Sequence, residues 1–170
     1  MLQLSSAQAA VQVARLRDVR GDLAHAYGVA LTRWMGDRTL MALGLPLVTQ
    51  GHRPAAEQAA LFAQGRERLP ELNRLRKLAG LPAFPVGSVE AGRKVTWVTV
   101  SRHMELPSGA LDVGMLQADG TVTWPADALQ KFSRLMLAAD GRIRWGGDWD
   151  GDGQTADERS PDFPHFEVPM

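Results

Sequence analysis

The sequence predicts an α+β fold: helices first, then a small antiparallel sheet. Three observations carry this reading. Apolar residues recur at helical spacing through the first 43 positions. Short runs of β-branched and aromatic residues dominate from position 95 onward. Asp119-Gly120 marks a hairpin turn, the connection that antiparallel neighbours need.

The elements follow in order. Residues 5–18 and 22–43 are expected as helices, with Ser5 or Ser6 as the first cap and Gly21 as the break. Val11, Ala14 and Val19, then Leu23, Tyr27, Ala30, Leu31 and Trp34, give them apolar stripes. Pro46 to Gln50 reads as a short strand. Pro54 opens a helix anchored by Leu61 and Phe62, and Gly65 ends it. Residues 66–93 form a mixed insertion with a short helix around Glu71 to Ala79, whose Arg74, Arg76 and Lys77 read as a solvated face. Val95 to Val100 is expected as a strand from its β-branched content, and Ala110 to Met115 as the next. Thr121 to Trp124 follows the hairpin turn. Pro125 then opens a helix carrying Leu129, Phe132, Leu135 and Met136 on one face, closed by Gly141. Arg142 to Trp145 and His165 to Val168 are the last strands, divided by a Gly/Asp-rich loop. Trp97 and Trp145, both placed in strands, are expected to pack in the core. No internal repeat is present.

Composition bounds the function. A chain of 170 residues reads as a single domain, with a helical part at 1–44 and a motif-bearing part at 45–168. The formal net charge is zero and no basic cluster stands out, which argues against nucleic acid or an anionic membrane as partner. No cysteine is present, so disulfides, thiol catalysis and sulfur-ligated zinc are excluded. No apolar run approaches the ~20 residues needed to span a bilayer. Gln3, Gln8, Gln12, Arg15 and Arg17 interrupt any apolar core of a secretory signal.

The chemistry lies in the second half. His103, Asp112 and His165 are three ligands of the kinds Zn²⁺ accepts, and three protein ligands with one open position characterise a catalytic zinc. Any one of them alone would read as an ordinary hydrogen-bonded side chain. Alternation along the strand puts Ala110, Asp112 and Gly114 on one face and Leu111, Val113 and Met115 on the other. His165 and Glu167 share a face, opposite Phe166 and Val168. Asp162, three residues before His165, offers a general base. Arg53, at a strand end beside a helix start, reads equally as a surface or capping arginine or as a group that stabilises charge developing on a carbonyl oxygen. Ser101 orients a ligand or touches substrate rather than acting as a nucleophile, since no base is arranged for it. Glu105 is a minor rival ligand. His25 has no ligand-type partner at helical spacing and reads as exposed.

Asp148, Asp150 and Asp152 with Gly153 match the opening of an EF-hand calcium loop. Position 12 is Arg159 and no helix pair is expected around it, so a full EF-hand is excluded. A partial calcium loop that regulates the site is the remaining reading, against a plain acidic turn.

Taken together these residues resemble the zinc peptidases of bacterial cell-wall stem peptides. Those are the D-alanyl-D-alanine dipeptidases and carboxypeptidases and the L-alanyl-D-glutamate endopeptidases of phage lysins. The matching segments are Val48-Thr-Gln-Gly-His-Arg53, Glu57-Gln58, Leu61 to Gly65, Thr96-Trp97, Ser101-x-His103, Ala110-x-Asp112, Trp145 to Trp149 and Asp162-x-Pro-His-Phe-Glu167. They span residues 45–168 in the family's order. Eight residues separate His103 from Asp112 where six are commonest, and the Pro107-Ser108 form of this loop resembles phage-type members. Asp162 stands where many members carry glutamate, as in lysin-type members. The resemblance implies a hedgehog/D-Ala-D-Ala-peptidase-like fold and an L-alanyl-D-glutamate endopeptidase endolysin. His103, Asp112 and His165 would hold zinc, Asp162 and Arg53 would be catalytic, and Gln58 and His52 would lie near substrate. It further implies a monomer that accumulates in the host cytoplasm. A holin-type partner would then open its route to the peptidoglycan. Two rivals stand beside this reading: a D-alanyl-D-alanine carboxypeptidase, and a non-catalytic metal-binding wall or virion module.

Overall fold

A computed structural model describes residues 4–169; Gln3, cited above against a secretory signal, lies outside the described residues. Six α-helices and a five-stranded antiparallel sheet are found among them. The chain divides into two compact units, one of Met1–His52 with Leu106–Met170 and one of Arg53–Glu105.

The first unit holds the sheet. Its strands are β1 (Leu45–Gln50), β2 (Ala110–Leu116), β3 (Val122–Thr123), β4 (Arg144–Trp145) and β5 (His165–Glu167), in the order β1-β2-β5-β4. β5 pairs with the start of β2 (Asp112↔His165, Leu111↔Phe166, Ala110↔Glu167), and β3 pairs with its end. The alternation expected for β2 holds: Leu111, Val113 and Met115 are fully buried in the core. They meet α2 (Gly21–Met35) and α6 (Ala126–Ala139). Phe132 of α6 sits at the centre, edge-on to Tyr27, Trp34 and Phe166 at centroid distances of 6.0, 5.7 and 6.1 Å. Such aromatic pairs add about 0.5–1.5 kcal/mol each beyond area burial.

Residues 4–44, which carry no motif, brace the sheet. α1 (Ser6–Arg17) starts with a capping box in which Ser5 and Gln8 satisfy each other's backbone N–H. Its Gln12 is buried and treats β1 as a strand would. The side-chain amide donates to Val48 O at 3.0 Å and accepts from Val48 N at 2.7 Å. An open sheet edge is thereby covered. Gly51 allows this approach, because a Cβ there would meet Arg15 O at 2.5 Å. The α1–α2 junction also holds the loop before β2: Ser108 N donates to Asp18 O at 2.7 Å and Arg20 N to Ser108 O at 2.9 Å.

The predicted helix over 22–43 is two helices. α2 ends at Met35 and Asp37 caps a new short helix, α3 (Arg38–Met41), by accepting from Thr39 N and Leu40 N. An aspartate here competes for its own backbone, which favours a cap over a helix interior.

The second unit contains α4 (Ala55–Ala63) and α5 (Leu69–Leu78). Val95–Val100, expected as a strand, is not one: it runs as irregular bends with Val95, Trp97, Val98 and Val100 exposed. Its carbonyls are taken instead by side chains of α4 and of the turn that follows it. Gln58 Nε2 donates to Val98 O at 2.7 Å and Arg66 Nη2 to Thr96 O at 3.0 Å. β-propensity reports fit to a half-buried pleated surface, and among the described residues no strand pairs with this segment. Trp97 is therefore 70% exposed, lying near Arg66 and Lys94, not in the core; Trp145 is in the core as expected. Arg76, read as solvated, is buried: its guanidinium stacks on Phe84 at 4.0 Å and Nε donates to Pro82 O.

Gln12→Ala leaves the buried Val48 N–H without its acceptor, so a loss of about 1–3 kcal/mol is expected in urea denaturation. A change within about 0.5 kcal/mol, typical of an inert surface site, would show that Gln12 does not cover the edge.

Candidate metal and catalytic site

Period-2 geometry sets the site in the first unit. The rung Asp112↔His165 places a carboxylate and an imidazole directly opposite on adjacent strands. His165 Nδ1 and Asp112 Oδ1 are 3.1 Å apart. On its other side, His165 Nε2 is 3.1 Å from Glu167 Oε2, two residues on along the same face. Arg144 of β4 faces Glu167 across the next ladder and ion-pairs with its Oε1 through Nε, at 3.1 Å, and Nη2.

Charge balance follows from this chain of contacts. Burial alone would lower the pKa of His165. Its hydrogen bonds to Asp112 and Glu167 and the charges of Asp112 and Asp162 outweigh burial and raise it to about 9. Burial likewise pushes the Glu167 carboxyl up, but hydrogen bonds from His165 and Arg144 and their charges hold it at about 2.

Asp162 is exposed at the end of the Gly/Asp-rich loop, and its main chain is fixed. Asp162 N donates to Gly146 O at 2.6 Å, and His165 N donates to Asp162 O at 3.0 Å. Gly146 makes this possible: a Cβ there would meet Asp162 O at 2.5 Å. Trp145 supports the same segment from below, with Nε1 donating to Phe163 O at 2.8 Å. Trp149 lies 5.6 Å from the His165 ring and anchors the loop by donating Nε1–H to Ser160 O.

Asp148, Asp150 and Asp152 come together, as their spacing suggested. Their oxygens accept from the loop's own N–H groups: Asp148 from Asp152 and Gly153, Asp150 from Asp152, and Asp152 from Gln154. Asp150 has a raised pKa: the Asp152 N–H bond lowers it, and desolvation with the charges of Asp152, Glu158 and Asp157 outweighs that bond.

In the second unit His103 is almost fully buried on a short 3-10 turn, Arg102–Met104. Ser101 caps the turn, its Oγ accepting from His103 N at 3.3 Å. Arg53 N donates to His103 O at 2.8 Å, tying the two residues' main chains together. Arg53 Nη1 donates to Gln58 Oε1 at 3.0 Å; Gln58, 1% exposed, is itself held by Val98 O. Glu105, the rival ligand, pairs with Arg102 at 2.7 Å. His52 is half-buried, with its carbonyl accepting from Gln50 Nε2. His25 is exposed on α2.

His103, Asp112 and His165 could hold a metal ion: each offers one ligand atom, and these atoms lie within 4.8 Å of one another. Two imidazoles and one carboxylate, without sulfur, fit zinc with one position left open. Arg144 was not foreseen beside the group, and Glu167 was noted for sharing a face with His165 and as the end of the Asp162-x-Pro-His-Phe-Glu167 segment, without a role of its own. The His-x-Glu spacing in a strand was the available signal, because it puts the carboxylate beside the ring.

No known family's sequence pattern matches the chain, and no curated protein matches it. Among solved structures it is similar to an L-Ala D-Glu endopeptidase, ChiX, of Serratia marcescens. The identity is 22% over 94% of this chain and 87% of that one, with a TM-score of 0.55. This likeness shows the fold, in agreement with the α+β expectation.

If the group holds zinc, Asp112→Ala takes away one of its three donors and should weaken zinc binding by more than about 100-fold, the upper end for loss of an outer partner alone. Equilibrium dialysis with metal analysis reads this, against one zinc per chain expected for the unaltered protein. Equal stoichiometry and affinity in both would discard the assignment.

Proposed function

We propose that this chain is a zinc metallopeptidase that hydrolyses the L-alanyl-D-glutamate bond of peptidoglycan stem peptides, in the manner of a phage endolysin. The observation that carries the proposal is the His103, Asp112, His165 group on a fold similar to that of an L-Ala D-Glu endopeptidase. The run of motifs from Val48 to Glu167, including Asp162 and Arg53, supports it from the sequence.

When bound, zinc supplies a Lewis acid for the scissile carbonyl and lowers the pKa of a water. The chain's own residues do the rest. Asp162 takes the proton of the attacking water at a carboxylate oxygen and passes it to the departing amine. Its exposure suits a group that meets both water and substrate. Arg53 faces the charge that develops on the carbonyl oxygen. Gln58 fixes the Arg53 guanidinium by accepting from Nη1, and is locked in turn by the Val98 carbonyl. Ser101 sets the turn that presents His103. Calcium at Asp148, Asp150 and Asp152 would act as a regulator of the loop that leads to Asp162.

No helix among the described residues is long and apolar enough to cross a membrane. In the endolysin reading a holin-type partner opens the way from the cytoplasm to the wall, and the enzyme acts as a monomer.

Mass spectrometry of purified peptidoglycan digested with the zinc-loaded protein tests the proposal. Release of stem peptides lacking L-alanine is expected. Loss of a terminal D-alanine alone would replace it with a D-alanyl-D-alanine carboxypeptidase, and no product would favour a non-catalytic metal-binding module. Asp162→Asn in the same assay should keep its zinc and lose about 10²–10⁴-fold in rate. Undiminished cleavage would remove Asp162 from the role of base.

A further inference from the structure

His165 has two ring nitrogens with distinct partners, and which one takes a metal is set by the bond the other makes. Nδ1 faces Asp112, itself one of the group that could hold the ion. Nε2 faces Glu167, which is not one of that group. Glu167 is nearly buried, and both of its oxygens are committed. Oε2 meets the imidazole, while Oε1 takes two N–H groups of Arg144. The β4–β5 register enforces this, since Arg144 is the rung partner of Glu167. Arg144 reaches solvent and lies over the Trp149 ring at 5.2 Å, so a line of contacts runs from the surface to the ligand.

We propose that Glu167, clamped by Arg144, is a positioning residue of the metal centre: it accepts Nε2–H of His165 and so presents Nδ1 to the ion. The inference rests on the metal-centre reading above. The physical case is the same as for any ligating imidazole, which needs a partner on its far nitrogen to hold the tautomer and the ring plane. A carboxylate kept only as an ion pair for Arg144 would need only Oε1. Oε2 instead meets the His165 ring, and the His-x-Glu spacing along β5 supplies that direction.

The test compares the full-length protein with Glu167→Gln, Glu167→Leu and Arg144→Met. Zinc affinity is measured by competition with a chromophoric chelator, stability by urea denaturation, and the ring nitrogens by NMR of ¹⁵N-histidine-labelled, zinc-loaded protein. The expected result is a protonated Nε2 and a zinc-bound Nδ1 at His165. Glu167→Gln keeps an acceptor oxygen and should stay within about tenfold of the original affinity. Glu167→Leu should lose about 10–100-fold, and Arg144→Met should lose less, in the same direction. A purely structural pair would lower stability without moving affinity or the choice of nitrogen. A folded Glu167→Leu protein with unchanged affinity overturns the inference, and so does zinc on Nε2. If Glu167→Leu fails to fold, the ring-nitrogen assignment in the unaltered protein decides. If the unaltered protein binds no zinc, the metal-centre reading fails and this inference fails with it.

Discussion

The pairing of β2 with β5 is the constraint on which the rest of the first unit depends. Two adjacent rungs of one ladder do two different jobs. Leu111↔Phe166 points into the core against Phe132, and Asp112↔His165 points to the polar face. Strand geometry leaves no freedom to set these separately, because a slip of one residue would exchange every side chain between faces. Burial of the apolar face therefore fixes the register, and the register fixes the distance between carboxylate and imidazole. Glu167, two residues further along β5, and Arg144, its partner on β4, extend the same logic across the next ladder.

The helical N-terminal part acquires a purpose from this. A short sheet with an open edge is a poor platform for a site that needs sub-ångström placement. Gln12 covers β1 by acting as a one-residue strand, and Tyr27 donates its hydroxyl to Pro46 O on the same strand. Ser108, fully buried, joins the loop ahead of Asp112 to the α1–α2 junction and also donates Oγ–H to Ala110 O. These are backbone-directed contacts from scattered side chains, which is why no contiguous motif announces them.

What was legible in the sequence follows from what is local. Alternation located both faces of β2 and of the His165 strand, and prolines and glycines placed the ends of α4 and α6 within a residue or two. The ligand types in order suggested the metal group. What was not legible depends on partners. Val95–Val100 has the composition of a strand and no strand neighbour among the described residues, so carbonyls of this segment go to Gln58 and Arg66 and Trp97 stays exposed. Arg76 reads as a surface charge until Phe84 and the Pro82 carbonyl are brought to it by the following loop. The break after Met35 turns on whether Asp37 caps or continues a helix, a choice that composition alone leaves even. Arg144 lies over 20 positions from Glu167 in sequence, and only the β4–β5 pairing joins them.

The central claim is that one ion is held by His103, Asp112 and His165. Diffraction data collected on either side of the zinc absorption edge, from crystals of the zinc-loaded protein, test it most directly. The account predicts one anomalous peak bonded to His103, to an Asp112 oxygen and to His165 Nδ1, at about 2.0–2.2 Å from each. A peak at the Asp148 loop instead, or one that any of these three side chains does not reach, would contradict it.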